Sequence, residues 1–329
     1  MKTSALAMTN SVATAHLSGV GSVLGFVLLA NANAVYSGRL LQSVHPFTFL
    51  FWAFVSTTLF YAVLQFLLHG RKTFSCDRAS IAPLVAVNVT SAFNWTGYFL
   101  ALRYLEPAIV AAIMCGFGPV SVVVLERIVR GRALAAYAYL AAAGTIVGVG
   151  FLVWASLAGL SGVRSESTSD VVIGIGAALA GGISQALTTI VVKMLGERGW
   201  TASRIMVHRF YVLMVLAALL AALGPGFTLA SSAQLTMVGI AVVLGVIVPL
   251  FLLQRGILLS DPFTTSVLLA LGPVLTYVFQ LLDDRIQLSA ASALGCVIVV
   301  GFVVYGTRAQ TQAVARAARR PTPAQERGA

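Results

Sequence analysis

The chain has 329 residues, 59% of them hydrophobic and 9% charged, with a net charge of +11 and a mean hydropathy of +0.93. A soluble domain carries about a quarter charged residues, so a soluble enzyme, a nucleic-acid-binding module and a disordered chain are excluded. Continuous apolar runs of about 20 residues also exclude a β-barrel, whose strands alternate every second residue.

Residues 1–17 read as a cytoplasmic N-terminal segment. In the first run, about 18–38, Val20–Ala30 has the character of a signal-peptide core, and Ala30-Asn31-Ala32 resembles a cleavage site. The run continues to about Tyr36, which predicts an uncleaved membrane span. It holds Asn31, Asn33 and Gly21-x-x-x-Gly25, a spacing that allows close helix approach. Runs two and three cover about 47–68 and 81–102, the third with Asn88, Asn94, Trp95 and Tyr98. Run four, about 107–126, opens on Glu106-Pro107, where the missing N–H is harmless and the acid suits the positive helix end. Pro119 sits well inside that run and predicts a kink. Run five, about 134–158, carries Gly144-x-x-x-Gly148, and a linker follows at 159–170.

Run six, about 171–193, holds Ser184, Gln185, Thr188 and Thr189. His208-Arg209 lies about one turn into run seven, about 205–223. Run eight, about 235–254, ends on Gln254. Run nine, about 263–282, follows Asp261-Pro262 and holds Thr264, Thr265, Thr276, Tyr277 and an inner Pro273. Run ten covers about 288–306, and the basic tail 307–329 reads as disordered, lying on anionic lipid. The fold class expected is therefore an all-α integral membrane protein with ten transmembrane helices.

Seventeen of the 21 Lys and Arg fall on one side of these spans. The positive-inside rule then places both termini in the cytoplasm, with the protein in the cytoplasmic membrane. The positive charge is accordingly a topology signal, and no nucleic-acid partner is expected. FLALRYLEPAIVAAIMCGFGPVSVVVLE in runs three and four is echoed by FLLQRGILLSDPFTTSVLLALGPVLTYVFQ in runs eight and nine. Each half, 18–158 and 171–306, thus has five spans. Five is odd, so the second half enters from the opposite face as an inverted repeat, a recurring plan of secondary transporters.

The ten Asp and Glu all sit at span ends, in loops or in the tail. No intramembrane carboxylate is therefore available as a proton relay or metal ligand. There is no HExxH, GxSxG or P-loop, and His16, His45, His69 and His208 are too scattered for a metal site. Cys76, Cys115 and Cys296 lack metal spacing, so no cofactor or metal and no enzymatic chemistry is expected.

The polar side chains within spans are mostly neutral. Ser and Thr can bond back to their own helix or to a neighbour. For Asn33, Asn94 and Gln185, interhelix bonding and pore lining stand as equal alternatives. With Tyr98, Thr188 and Thr265 they form the candidate substrate-binding set, and Pro119 and Pro273 are candidate gating hinges. Arg209 and Lys193 snorkel to headgroups or attract an anionic substrate group; Glu126 or Glu197 are alternative partners for Arg209. The glycine spacings serve packing within the chain, or a homodimer through spans five and ten.

The string ALRYLEPAIVAAI followed by Gly-Pro, the ten spans and the inverted halves together resemble the EamA-like drug/metabolite transporter family. Asn33 in span one and Arg209-Phe210 in span seven fit its tendencies, and Asp284-Arg285 fits after span nine. Ala53 stands where the family tends to carry an Arg. The resemblance implies alternating-access transport of a small organic metabolite, by export or exchange. A neutral cavity favours an amino acid or another zwitterionic or neutral solute. An anionic phosphorylated or nucleotide-linked metabolite is the alternative, and a non-transporting membrane scaffold is the alternative of another class.

Overall fold

A computed structural model describes residues 2–70, 74–124, 134–163, 167–259 and 268–318. The described residues form helices, with no strand among them. In chain order they are α1 (Lys2–Leu40), α2 (Pro46–His69), α3 (Arg78–Tyr104), α4 (Pro107–Val124), α5 (Ala136–Leu157) and α6 (Thr168–Glu197). There follow α7 (Ala202–His208), α8 (Tyr211–Leu223), α9 (Ser232–Val242), a π-turn (Val243–Ile247), α10 (Val248–Leu259), α11 (Gly272–Gln280) and α12 (Ala290–Ala318).

Local chemistry sets several of these ends. Pro46 opens α2, and His45 Nδ1 accepts from Phe47 N at 3.3 Å. Ser231 Oγ caps α9 by accepting from Gln234 N at 3.2 Å. Leu105 is extended, which separates α3 from Pro107 at the head of α4.

Among the described residues, seven helical segments are long and apolar enough to cross a membrane, and Pro107–Gly118 and Leu268–Gln280 are shorter apolar helices. α3 has the length, at 27 residues, but carries Asn88, Thr90, Ser91, Asn94 and Thr96. Leu59, Val63, Leu67, Val215, Leu223 and Leu282 are among many large apolar side chains left exposed. Apolar surface on that scale has no place in water and suits contact with lipid.

The ends differ from the sequence reading. α1 begins at Lys2 rather than near residue 18, and α12 runs to Ala318, past the boundary set at 306. The stretch after Tyr305 is rich in Ala, Gln and Arg and has no proline before Pro321, so nothing in it stops a helix.

α3 lies along α6, and α1 along α10. α4 rests on α5, α6, α11 and α12, while α11 meets α1. α2 packs on α7 and α8, and α5 on α12. In the α3–α6 seam, a Cβ on Gly97 would stand 2.5 Å from Ala177 O, so only glycine allows this approach. Phe49, Phe54, Phe99 and Phe210 are fully buried in the core.

The Gly144-x-x-x-Gly148 pattern serves the α5–α12 contact. A Cβ on Gly144 would overlap the Phe302 ring, and one on Gly148 would stand 2.8 Å from Val299 Cγ2. Gly144→Ala should therefore cost about 1–3 kcal/mol through overpacking. Gly150 has nothing within 4 Å of its Cβ position, so Gly150→Ala should be neutral or slightly stabilising. Thermal melting of both variants in detergent checks the contrast; equal melting points would refute it.

Candidate functional site

The apolar segment 202–223 is not one helix. α7 ends at His208, α8 begins at Tyr211, and Arg209 and Phe210 lie in the break. A break frees backbone groups that need partners in an apolar interior. Asn88 of α3 supplies them on both sides. Its Nδ2 donates to His208 O at 2.6 Å, and its Oδ1 accepts from Val212 N at 3.3 Å.

Arg209 is 6% exposed. Its Nε donates to Ser91 Oγ at 3.2 Å, and its guanidinium carbon lies 5.0 Å from the Phe210 ring centre. Ser91 stands midway between Arg78 and Tyr104, the ends of α3. At 1.5 Å per residue that is about 20 Å from either end. The structure departs from the snorkelling expectation: Arg209 is buried and held midway along α3, because α7 ends early and α3 offers it a hydroxyl. Among the described residues no carboxylate pairs with it, Glu197 included; Glu126 lies outside them.

Aromatic rings back this break. Phe54 of α2 lies 4.7 Å from Phe210 and 5.1 Å from Trp95, centre to centre. Trp95 stacks on Phe99 at 5.8 Å. The buried Trp95 Nε1 has no hydrogen-bond partner among the described residues.

The sequence-derived candidates occupy two seams. Asn33 is buried against the π-turn, where a Cβ on Gly245 would overlap its side chain. Tyr61 Oη donates to Ile247 O at 3.0 Å, tying α2 to the same turn. Asn94 and Tyr98 lie at the α3–α6 seam, where a Cβ on Gly181 would stand 3.3 Å from both Asn94 O and Tyr98 N. Thr188 is buried on α6, and its hydroxyl has no partner among the described residues. Gln185, on the same helix, is exposed. Thr265 lies outside the described residues, as do Asp261 and Pro262.

The two inner prolines differ. α4 continues through Pro119 to Val124. Pro273 instead stands in the first turn of α11, behind a turn at Leu271, so no helical bond is lost there. Asn31 Oδ1 accepts from Thr276 Oγ1 at 2.6 Å, joining α1 to α11.

Glu106 does more than head a helix. It is 1% exposed and accepts from Gly162 N at 2.7 Å, Ser292 Oγ at 2.6 Å and Gln280 Nε2. Gln280 Oε1 in turn accepts from Ala108 N at 3.1 Å. One carboxylate thus ties the α3–α4 junction to the loop after α5, to α11 and to α12. The sequence marked it only as an acid before Pro107 at a helix start, a place that Asp261-Pro262 repeats in the second half.

Near this cluster Arg285 pairs with Asp283 rather than standing with Asp284 as a motif, and its Nη1 donates to Gly38 O at 3.1 Å. Burial pushes the Asp283 carboxyl up, but hydrogen bonds and charge from Arg285, helped by Arg39, outweigh it and hold it below its ordinary value. A carboxylate depressed in the folded state contributes stability above its unfolded pKa and loses it as pH falls through the folded value. The melting temperature should therefore fall on acidification below the carboxylate range, and less steeply in Asp283→Asn. Parallel pH profiles would refute that assignment.

The long apolar helices and the broken, polar-lined interior define a multi-pass integral membrane protein. Residues 17–154, somewhat less than half of the chain, match the model of the EamA-like transporter family, a likeness in keeping with a drug/metabolite-type membrane protein. No curated relative matches the chain. One solved crystal structure is similar at 18% identity with a TM-score of 0.60, over 94% of this chain and 99% of its own. At that identity it shows the fold alone, but it shows it on both sides of residue 154.

Proposed function

We propose that the chain is a secondary transporter that moves a small organic metabolite across the cytoplasmic membrane by alternating access between two inverted five-span halves. The observation that carries this reading is the helix broken at Arg209–Phe210 within the apolar interior, since interrupted helices mark the substrate sites of such transporters. The packing supports the inverted repeat. Exchanging each span for the one five further on turns the α3–α6 contact into α10–α1, and α4–α6 into α11–α1. It leaves α5–α12, α2–α7/α8 and α4–α11 in place. Under that exchange the Asn94–Tyr98 seam and the Asn33 seam become counterparts.

The halves are not in the same state. α2, α3 and α4 are unbroken, whereas their counterparts carry the break at Arg209–Phe210, the π-turn at Val243–Ile247 and the turn at Leu271. Transport then consists of the halves exchanging these states, with Pro119 and Pro273 at the bends. Purified protein in liposomes loaded with mixed small metabolites should deplete one chemical class from the lumen. Asn33→Leu should lose that depletion while still purifying normally. An unchanged lumen with the parent protein would favour the scaffold alternative. The charge distribution supports cytoplasmic termini: a reporter active only outside the cytoplasm, fused after residue 329, should stay silent, and activity there would reverse the orientation.

A further inference from the structure

Resting on the transporter reading, we propose that Arg209 is the anchor for a single carboxylate group on a substrate with an apolar body. A guanidinium carries five N–H donors and stays protonated in proteins. Here only Nε finds a partner, Ser91 Oγ; among the described residues Nη1 and Nη2 have none. A buried cation without a counter-ion is strongly destabilising, and an arginine buried within an apolar segment marks a function by default. Among the described residues no carboxylate balances Arg209, and the proposal gives that role to the solute. The start of α8, a helix of 13 residues at the same break, adds its positive end to the site.

The number of charges selects the anion. Arg209 is the one Lys or Arg side chain that is buried among the described residues. The adjacent His208 ring is engaged elsewhere, with Tyr211 Oη at 2.8 Å and between Trp200 and Phe74. One cation balances one carboxylate, whereas a phosphate dianion would be left with unmatched charge. The rings of Phe210, Phe54 and Trp95 pack on one another beside it and make its surroundings apolar, and bidentate carboxylate recognition is the geometry guanidinium provides.

The test uses the purified full chain with 3-phenylpropionate, its amide 3-phenylpropanamide, and phenyl phosphate as probes. Thermal stabilisation in detergent reads binding, and liposome uptake reads flux. The acid should raise the melting temperature at concentrations where the amide and the phosphate do not. Arg209→Gln should raise the half-saturating concentration of the acid tenfold or more, with Arg209→Lys intermediate. No preference for the acid over the amide in the parent protein, or a preference unchanged in Arg209→Gln, overturns the anchor. Stronger stabilisation by phenyl phosphate overturns the single-carboxylate assignment. If Arg209→Gln does not fold, the three probes on the parent protein still decide. Equal flux of acid and amide would leave transport standing and remove the anchor. Acid-selective binding without flux would do the reverse.

Discussion

Glu106→Leu is expected to lower stability by about 3 kcal/mol or more and to prevent recovery of monodisperse protein. The carboxylate accepts three hydrogen bonds, from Gly162, Ser292 and Gln280, at a site that excludes water. Each donor left unpaired in such a site costs about 1–3 kcal/mol, and the three are lost together. Leucine fills the volume but accepts nothing. Glu106→Gln should fall between, because its carbonyl still accepts while its amide N–H group faces other donors. Thermal melting in detergent, run with Gln280→Leu and the double variant, isolates the coupling between the pair. If Glu106→Leu melts with the parent, the carboxylate is not what joins these four segments.

The second large effect is expected at Asn88. Asn88→Leu leaves the His208 carbonyl and the Val212 N–H without partners at the break in the apolar segment. Two such orphans cost about 2–6 kcal/mol, a large fraction of the stability of a typical protein. Asn88→Asp separates structure from function. It keeps the acceptor for Val212 and places a carboxylate one helical turn from Ser91, the partner of Arg209. This variant should fold better than Asn88→Leu, yet lose flux, because Arg209 then has an internal counter-ion. Melting temperature and liposome flux, measured together, check both halves. Normal flux in Asn88→Asp would mean that Arg209 needs no free charge.

Seven of the ten expected apolar spans were readable from the amino-acid order, because membrane burial acts on each stretch of about 20 residues alone. The use of Gly144 and Gly148 for close packing was legible for a similar reason: helical spacing places both on one face. The candidate site was legible only in part. Asn33, Asn94 and Tyr98 stood out as polar groups in apolar runs, but their division between two seams depends on which helices meet.

Arg209 and Glu106 show where local reading stops. Residues 202–223 form one apolar run on paper, so an arginine near its start belongs at the headgroups. Its depth follows from a break that Asn88 stabilises from 120 residues away, and from a hydroxyl on Ser91. Glu106 looked like a helix-start acid, yet its donors stand 56, 174 and 186 positions along the chain. Hydropathy and helical period are properties of neighbouring residues and are written in their order. The partner of a buried charge is set by which helices pack together, so only the folded bundle decides it.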